Sequence, residues 1–122
     1  MNDGILIIED EAIIALDIAR EVKLLGYSVA GIASDETEAL FLLETKLPAL
    51  ALVDIKLKGG ADGIAVAKKL KERFSVPVIF VTAYSDSSVR ERAMMINPAG
   101  YLLKPINKAE FDKTIISVMS GK

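Results

Sequence analysis

Four short apolar runs in this chain are each followed at once by polar side chains that could carry out chemistry. These side chains are Glu9 and Asp10 after the first run, then Asp54, Thr82 and Lys104. Carboxylates held close together repel one another unless a cation or a proton lies between them. Carboxylate oxygens suit Mg²⁺, and a carboxylate can also act as a nucleophile toward phosphorus. The set therefore indicates phosphoryl transfer, with the ammonium and the hydroxyl available to the phosphoryl oxygens.

Each of these residues also has a purely structural interpretation. The acids after the first run could form a solvated helix start, where negative charge is favourable, and we prefer that interpretation for Glu11 alone. Lys104 could extend from a buried strand to solvent, but opposite an acidic cluster we expect it to pair with Asp54. Thr82 could be an ordinary β-branched strand residue. We favour a metal for Asp10 with Asp54, because these two residues are expected at the ends of neighbouring strands.

The elements that would position these residues can be predicted from apolar periodicity. Strands are predicted at Ile5–Ile8, Tyr27–Ala33, Leu50–Val53, Val78–Val81 and Tyr101–Leu103. Helical spacing of apolar residues follows each strand, first from Glu11 to about Leu25. Strands that alternate regularly with helices predict a parallel sheet covered on both faces. Ligands of such sheets bind beyond the carboxyl ends of the strands, where the polar residues above are found.

Capping residues indicate where three of the helices begin. Asp35 with Glu38, and Asn107 with Glu110, have the spacing of a capping box, and Asp86 could cap the fourth helix. Further apolar residues are expected on the buried faces of the helices: Ala39, Leu43 and Leu47; Val66, Leu70 and Phe74; Val89, Ala93 and Ile96; and Phe111, Ile115 and Val118.

Composition excludes several other chemistries. The 122 residues include no Cys and no His, so there is no disulfide, thiolate nucleophile, zinc–sulfur site or imidazole base. The net charge is −2 with both signs interspersed, which does not indicate a nucleic-acid surface. The apolar runs are too short to cross a bilayer, and acidic residues interrupt the first of them. A single soluble, cytoplasmic domain over residues 1–122 is expected.

Four segments, taken in order, resemble the receiver domains of two-component response regulators. They are Ile5–Glu11, Leu52–Asp54, Val78–Ala83 and Leu103–Pro105. The resemblance extends over essentially the whole chain. It implies an α/β fold, a doubly wound, flavodoxin-like (βα)5 three-layer sandwich whose five-stranded parallel sheet has the order 2-1-3-4-5.

The resemblance also implies roles for the residues at the metal. Asp54 is expected to be the phosphoacceptor and a ligand of Mg²⁺, with Mn²⁺ as a substitute. Asp10 would bind the metal directly, Glu9 would bind it through water, and the backbone carbonyl of Lys56 would complete the protein's ligands. Glu9 departs from the commoner Asp of the family, and its greater length is expected to alter metal binding slightly.

Further roles follow for the phosphoryl group. Thr82 and Lys104 would bind it, and Tyr101 stands at the switch-aromatic position, which is expected to move inward. Lys56 and Tyr84, each two residues after a site residue, would flank attacking water and modulate phosphate lifetime. A bulky Tyr84 could shield the phosphate.

The loop after Asp54 departs from the family pattern. Lys58 stands where the family usually has Pro, and glycines at 59, 60 and 63 make the loop rich in that residue. A glycine-rich loop is expected to be more mobile, and its path is left open at this point. The glycines do not have the spacing of a dinucleotide-binding fingerprint.

The family also implies partners. A histidine kinase or histidine phosphotransfer protein would supply the phosphate, and a downstream protein would bind the face Asp86–Met119. No nucleic acid or membrane is expected as a partner, and the chain would be a monomer or weak dimer. It would be a switch that catalyses only its own phosphorylation and slow dephosphorylation. Candidates for the surface or rim of the face are Val89, Met94, Met95, Tyr101, Lys108 and Phe111. For the two methionines, interface and core are equally favoured.

Three competing functions are weaker. A phosphatase with a nucleophilic Asp would need an acid two residues after it, where this chain has Lys56. A flavodoxin-like cofactor carrier would need a glycine- and hydroxyl-rich loop after the first strand, where this chain has Glu9–Glu11. A receiver-like protein that binds partners without phosphorylation would not need the full set of site residues that this chain contains.

Overall fold

The computed structural model describes residues 4–121, and for Lys58 it describes the backbone only. The elements, in chain order, are β1 (Gly4–Ile8), α1 (Ala12–Leu24), β2 (Ser28–Ala33), α2 (Glu36–Thr45), β3 (Leu50–Val53), α3 (Gly63–Phe74), β4 (Val78–Thr82), α4 (Ser87–Met94), β5 (Gly100–Leu103) and α5 (Lys108–Met119). The strands form one parallel sheet of order β2-β1-β3-β4-β5. The predicted doubly wound, flavodoxin-like fold is therefore confirmed.

Two helical layers cover the sheet because successive strand residues point to opposite faces. In β1, Ile5 and Ile7 pack in the core beneath α1 and α5, whereas Leu6 and Ile8 pack beneath α2, α3 and α4. The strands β1, β3 and β4 are buried along their whole length, as expected for strands covered on both faces. In the described range 4–121, no helix is both long enough and apolar enough to span a bilayer.

Two of the predicted helix starts have the expected capping bonds. The Asp35 carboxylate accepts a hydrogen bond from the Glu38 N–H at 2.9 Å, and the Asn107 side chain accepts one from the Glu110 N–H at 2.9 Å. The reciprocal bond of the first cap differs from a standard capping box, because the Glu38 carboxylate accepts from the backbone N–H of Ser34 at 2.7 Å. Both helices begin where the sequence predicts.

Three finer predictions were wrong. Asp86 is at the N-cap position of α4, but its side chain makes no capping hydrogen bond. Leu47 lies beyond the end of α2 and is 46% exposed, because the helix ends at Thr45 before the turn of Leu47 is formed. Phe111 is not at the surface: it is 1% exposed and lies on the buried face of α5, in the core.

Candidate functional site

The backbone ladder of the sheet extends one residue beyond the strands and so fixes the residues that follow them. The Asp54 N–H donates to the carbonyl of Ile8 at 2.9 Å, and the Lys104 N–H donates to the carbonyl of Thr82 at 2.9 Å. Because the strands are parallel, their carboxyl ends meet at one edge. The predicted site residues therefore lie on a shared and rigid frame.

Three carboxylates meet at this edge. Glu9, Asp10 and Asp54 each offer an oxygen, and these oxygens all lie within 4.8 Å of one another. Glu9 and Asp54 are buried, whereas Asp10 is exposed. Such a group of hard anionic oxygens with one side open to water fits Mg²⁺, which keeps part of its hydration shell. The structure thus brings together the side chains predicted to hold a metal.

Lys104 lies against two of these acids. Its ammonium donates to Glu9 Oε1 at 2.5 Å and to Asp54 Oδ2 at 3.0 Å. The Asp54 partner is the one predicted, whereas the Glu9 partner was missed. Two strands separate β1 from β5 in the sheet, and we infer that the length of the Glu9 side chain helps to bridge the gap. The Glu in place of the family's commoner Asp was the feature of the sequence that could have indicated this contact.

The charges at this edge alter two pKa values. Burial raises the pKa of the Glu9 carboxyl above its ordinary value, although the hydrogen bond from Lys104 opposes the shift. Burial alone would lower the pKa of the Lys104 ammonium, but the hydrogen bonds to Glu9 and Asp54 outweigh it and the pKa is raised. Lys104 is therefore a fixed positive charge beside Asp54 at neutral pH.

A chain of contacts leads from Thr82 to Tyr101. Thr82 is fully buried, and its hydroxyl oxygen accepts from the Tyr84 N–H at 3.4 Å. The carbonyl of Tyr84 in turn accepts from the Tyr101 hydroxyl at 2.7 Å. The Tyr101 ring lies 6.0 Å from that of Phe80, and the Arg90 guanidinium lies 4.7 Å from its centroid. Burial raises the pKa of Tyr101, partly offset by Arg90.

An open cleft of about 690 Å³ lies over the acids. Its lining residues are Asp10, Glu11, Ile14, Asp54, Lys56, Leu57, Gly59, Gly60, Thr82, Ala83, Tyr84 and Lys104. Lys56 and Tyr84, the expected modulators of phosphate lifetime, both contribute to this lining. Asp54 therefore lines a cleft that is open to solvent.

The glycine-rich loop after Asp54 follows a tight path. A 3-10 turn spans Lys58–Gly60, with Gly59 and Gly60 at φ of +73° and +78°. Gly63 opens α3, and a Cβ there would lie 1.9 Å from the carbonyl oxygen of Asp54. Only glycine fits at that position, because any side chain would meet backbone. The Lys56 carbonyl is in this loop, and its role as a metal ligand stays a prediction.

Two arginines of α4 approach the site and were not identified from the sequence. Arg90 stacks on Tyr101, and Arg92 donates to Asp62 at 2.6 Å. Neither the spacing nor the composition distinguishes these arginines from ordinary solvated charges. Their contacts depend on how α4 lies across the sheet.

Comparisons with known proteins agree with this geometry. The family model of the response regulator receiver domain matches residues 5–116. The phyllosphere-induced regulator PhyR of Methylorubrum extorquens is 42% identical over 117 residues, covering 94% of this chain and 43% of that protein. The transcriptional regulatory protein PdtaR of Mycobacterium tuberculosis is 36% identical over 103 residues, covering 84% of this chain and 50% of that protein. The chain thus spans about half the length of these curated relatives.

Solved structures are similar over the whole fold. The receiver domain of a modulated diguanylate cyclase from Desulfovibrio desulfuricans has a TM-score of 0.88 at 33% identity, covering 98% of this chain and 95% of that one. The receiver domain of PhyR from Erythrobacter litoralis has a TM-score of 0.85 at 32% identity, covering 99% of this chain and 92% of that one.

Proposed function

Because this chain belongs to the response regulator receiver domain family, we propose that Asp54 accepts a phosphoryl group in a Mg²⁺-dependent reaction. One observation carries the proposal: the carboxylates of Glu9, Asp10 and Asp54 converge, and the Lys104 ammonium lies 3.0 Å from Asp54. Response regulators receive phosphoryl groups from histidine kinases, and we assign a histidine kinase or a histidine phosphotransfer protein as the donor.

In this reaction a carboxylate oxygen of Asp54 attacks phosphorus. An O–P bond forms as the N–P bond of the donor phosphohistidine breaks, and the electron pair returns to the imidazole, which takes a proton. Lys104 is positioned to neutralise one phosphoryl oxygen, and the Thr82 hydroxyl can donate to another once it turns toward the cleft. Such preformed donors lower the barrier because they need little rearrangement as charge shifts.

The metal would be held by Asp10 and Asp54 directly, by Glu9 through water and by the backbone carbonyl of Lys56. When bound, Mg²⁺ supplies positive charge that offsets the carboxylates and the phosphoryl oxygens; Mn²⁺, also a hard cation, could replace it. Glu9 is already bonded to Lys104 at 2.5 Å, so its contribution to the metal is shared with that ammonium.

The site residues favour a phosphate that stays on Asp54 over one that is rapidly hydrolysed. Hydrolysis by a phosphatase of this chemistry would use an acid two residues after the nucleophile, where this chain has the exposed Lys56. Tyr84 lies at the cleft wall, where its ring can hinder water from reaching phosphorus. The protein would therefore catalyse only its own phosphorylation and a slow dephosphorylation, as a cytoplasmic signalling switch.

The output would pass through the face Asp86–Met119, formed by α4, β5 and α5. Met94 and Met95 are 47% and 84% exposed, which supports their use at an adaptable interface rather than in the core. Tyr101 connects this face to Tyr84 at the cleft. Phosphorylation would bias two existing conformations, in which Tyr101 moves inward with Thr82, and a protein partner would bind one of them. The chain would act as a monomer or a weak dimer.

Intact-mass analysis with acetyl phosphate, with and without Mg²⁺, tests this function. One added phosphoryl group is expected, dependent on Mg²⁺ and absent from Asp54→Ala. The matched control is Asp17→Ala, which removes an exposed acid on α1 and should be phosphorylated like the wild type. Equal modification of the Asp54→Ala variant would overturn the proposal.

A further inference from the structure

Arg92 on α4 reaches across to the loop beside the phosphoacceptor. Its Nη2 donates to Asp62 Oδ2 at 2.6 Å. The helix that carries it is weakly anchored, since Ala93 is the only buried residue of α4 and the Asp86 side chain makes no capping bond. Whatever shifts α4 therefore acts on Asp62 as well.

Asp62 closes the loop that runs from β3 to α3. Its Oδ1 accepts from the Ile64 N–H at 2.9 Å and caps α3, and its backbone pairs with that of Lys56 in an antiparallel bridge. The next residue, Gly63, donates its N–H to the Ile55 carbonyl at 2.6 Å. The two oxygens of one carboxylate thus hold a helix and an arginine, directly against the backbone that follows Asp54.

The loop between Lys56 and Asp62 combines a contact with the core, made by Leu57 and Ala61, with an exposed glycine turn. Gly59 and Gly60 are exposed and have left-handed φ values, which glycine adopts at the expense of chain entropy. Leu57 is buried and its N–H donates to the Ala61 carbonyl at 3.1 Å. The conformation of the glycine turn therefore depends on Leu57 and on how the two ends of the loop are held.

We propose that Arg92 is a positioning residue for the phosphoacceptor site, acting through Asp62 to hold the β3–α3 loop and with it the Lys56 carbonyl. The inference rests on the proposed function, because it takes the loop as part of the metal site. The ordinary alternative is a half-exposed surface ion pair without consequence. Exposed pairs stabilise a whole protein little, but a small contribution suffices in a segment that opens locally.

The sign of the effect on Mg²⁺ affinity separates positioning from simple electrostatics. If the charges act only through space, Arg92→Met removes a cation and tightens Mg²⁺ binding, whereas Asp62→Asn removes an anion and weakens it. If Arg92 acts by holding the loop, both substitutions weaken binding. Asp62→Asn can still cap α3, because its amide oxygen can accept from Ile64.

The test is calorimetric titration of the full chain with Mg²⁺ alone, together with hydrogen exchange of residues 55–63 without metal. If Arg92 holds the loop, each single variant should raise the dissociation constant of Mg²⁺ about 1.4- to 5-fold, which is the range that the energies of exposed ion pairs give. The double variant should be no worse than either single variant, and Arg92→Lys should recover most of the affinity. The same variants should speed exchange in the loop but not in the buried strand β4.

Several outcomes would overturn the inference: opposite signs for the two single variants, effects that multiply in the double variant, or unchanged exchange in the loop. Arg20→Met is the charge-matched control, because Arg20 is an exposed arginine on α1, and it should alter neither measurement. A wild type that fails to bind Mg²⁺ would instead count against the proposed function, while the exchange measurement would still test the contact between Arg92 and Asp62.

Discussion

At the scale of single residues, the hydrogen bond between Lys104 and Glu9 places a positive charge inside the acidic cluster. Both side chains are largely buried, at 12% and 1% exposed. An ammonium between two carboxylates offsets their repulsion before any metal binds. Lys104 therefore has a structural role in addition to its predicted contact with the phosphoryl group.

Replacing Lys104 by Met should destabilise the fold, because Glu9 and Asp54 would lose their buried counterion. Removal of one partner of a buried ion pair costs about 3 kcal/mol or more, and the open cleft should keep this variant at the lower end. The free energy of unfolding from urea titration measures it. Lys113→Met, which removes an exposed lysine of α5, is the control. Equal stability of both variants would contradict a counterion role for Lys104.

Tyr84 is predicted to protect the phosphate once it is formed. Its carbonyl, not its side chain, accepts the bond from Tyr101 at 2.7 Å, so Tyr84→Ala can leave that contact intact while opening the cleft wall. Autodephosphorylation should quicken several-fold in Tyr84→Ala and stay near the wild-type rate in Tyr84→Phe. Loss of the phosphorylated mass with time after donor removal gives both rates. An unchanged or slower rate in the alanine variant would argue against shielding.

At the scale of elements, α1 and α5 are joined by a charge cluster at the surface. The Lys108 ammonium donates to Glu21 of α1 at 2.5 Å and to Asp112 of α5 at 2.8 Å. The hydrogen bond from Lys108 lowers the pKa of Asp112, and the bonds to Asp112 and Glu21 raise the pKa of Lys108. The cluster thus favours the charged forms of both groups.

The stabilisation that Lys108 provides should depend on pH in a defined direction. An acid whose pKa is lowered in the folded state stabilises the fold above its ordinary pKa, and that contribution disappears as pH falls through the folded value. Lys108→Met should therefore be less stable than the wild type at neutral pH, and the difference should shrink in acid, below the usual range of an Asp carboxyl. Urea unfolding at several pH values measures this. A difference that persists unchanged in acid would exclude Asp112 as the cause.

Helix starts show which element details can be predicted locally. Asp35 and Asn107 cap their helices as predicted because both partners lie within three residues along the chain. Asp86 has no Glu or Gln three residues after it and makes no capping bond. Ala93 is the only buried residue of α4. The position of α4 is determined by distant contacts, such as the bonds from Lys71 to the carbonyls of Ile96 and Asn97 at 2.7 and 2.6 Å.

At the scale of the whole molecule, some features of the candidate site could likewise be predicted from the sequence and others could not. The convergence of Asp54, Thr82 and Lys104 could be predicted, because the ends of parallel strands share one edge whatever the details of packing. The contacts of Glu9 with Lys104 and of Arg92 with Asp62 could not. They join residues 95 and 30 positions apart and depend on side-chain reach across several elements, which periodicity does not contain.

If the acidic cluster binds Mg²⁺ as proposed, metal binding should also change the stability of the whole chain. Without metal, Asp10→Asn relieves repulsion at an exposed position, so we expect it to be more stable than the wild type by about 1 kcal/mol or less. With Mg²⁺ at about 100 times its dissociation constant, binding to the folded state alone should stabilise the wild type by about 2.7 kcal/mol. The variant lacks a predicted ligand and should gain less.

The two stability curves should therefore cross as Mg²⁺ is added, with the variant more stable at first and the wild type more stable at saturation. Thermal unfolding over a series of Mg²⁺ concentrations locates the crossing, and Asp17→Ala, an exposed acid on α1, should follow the wild type. General screening of negative charge would raise all three proteins in parallel. Parallel curves would mean that Asp10 is not a ligand, because only a site that needs its carboxylate makes the wild type respond more steeply than the variant.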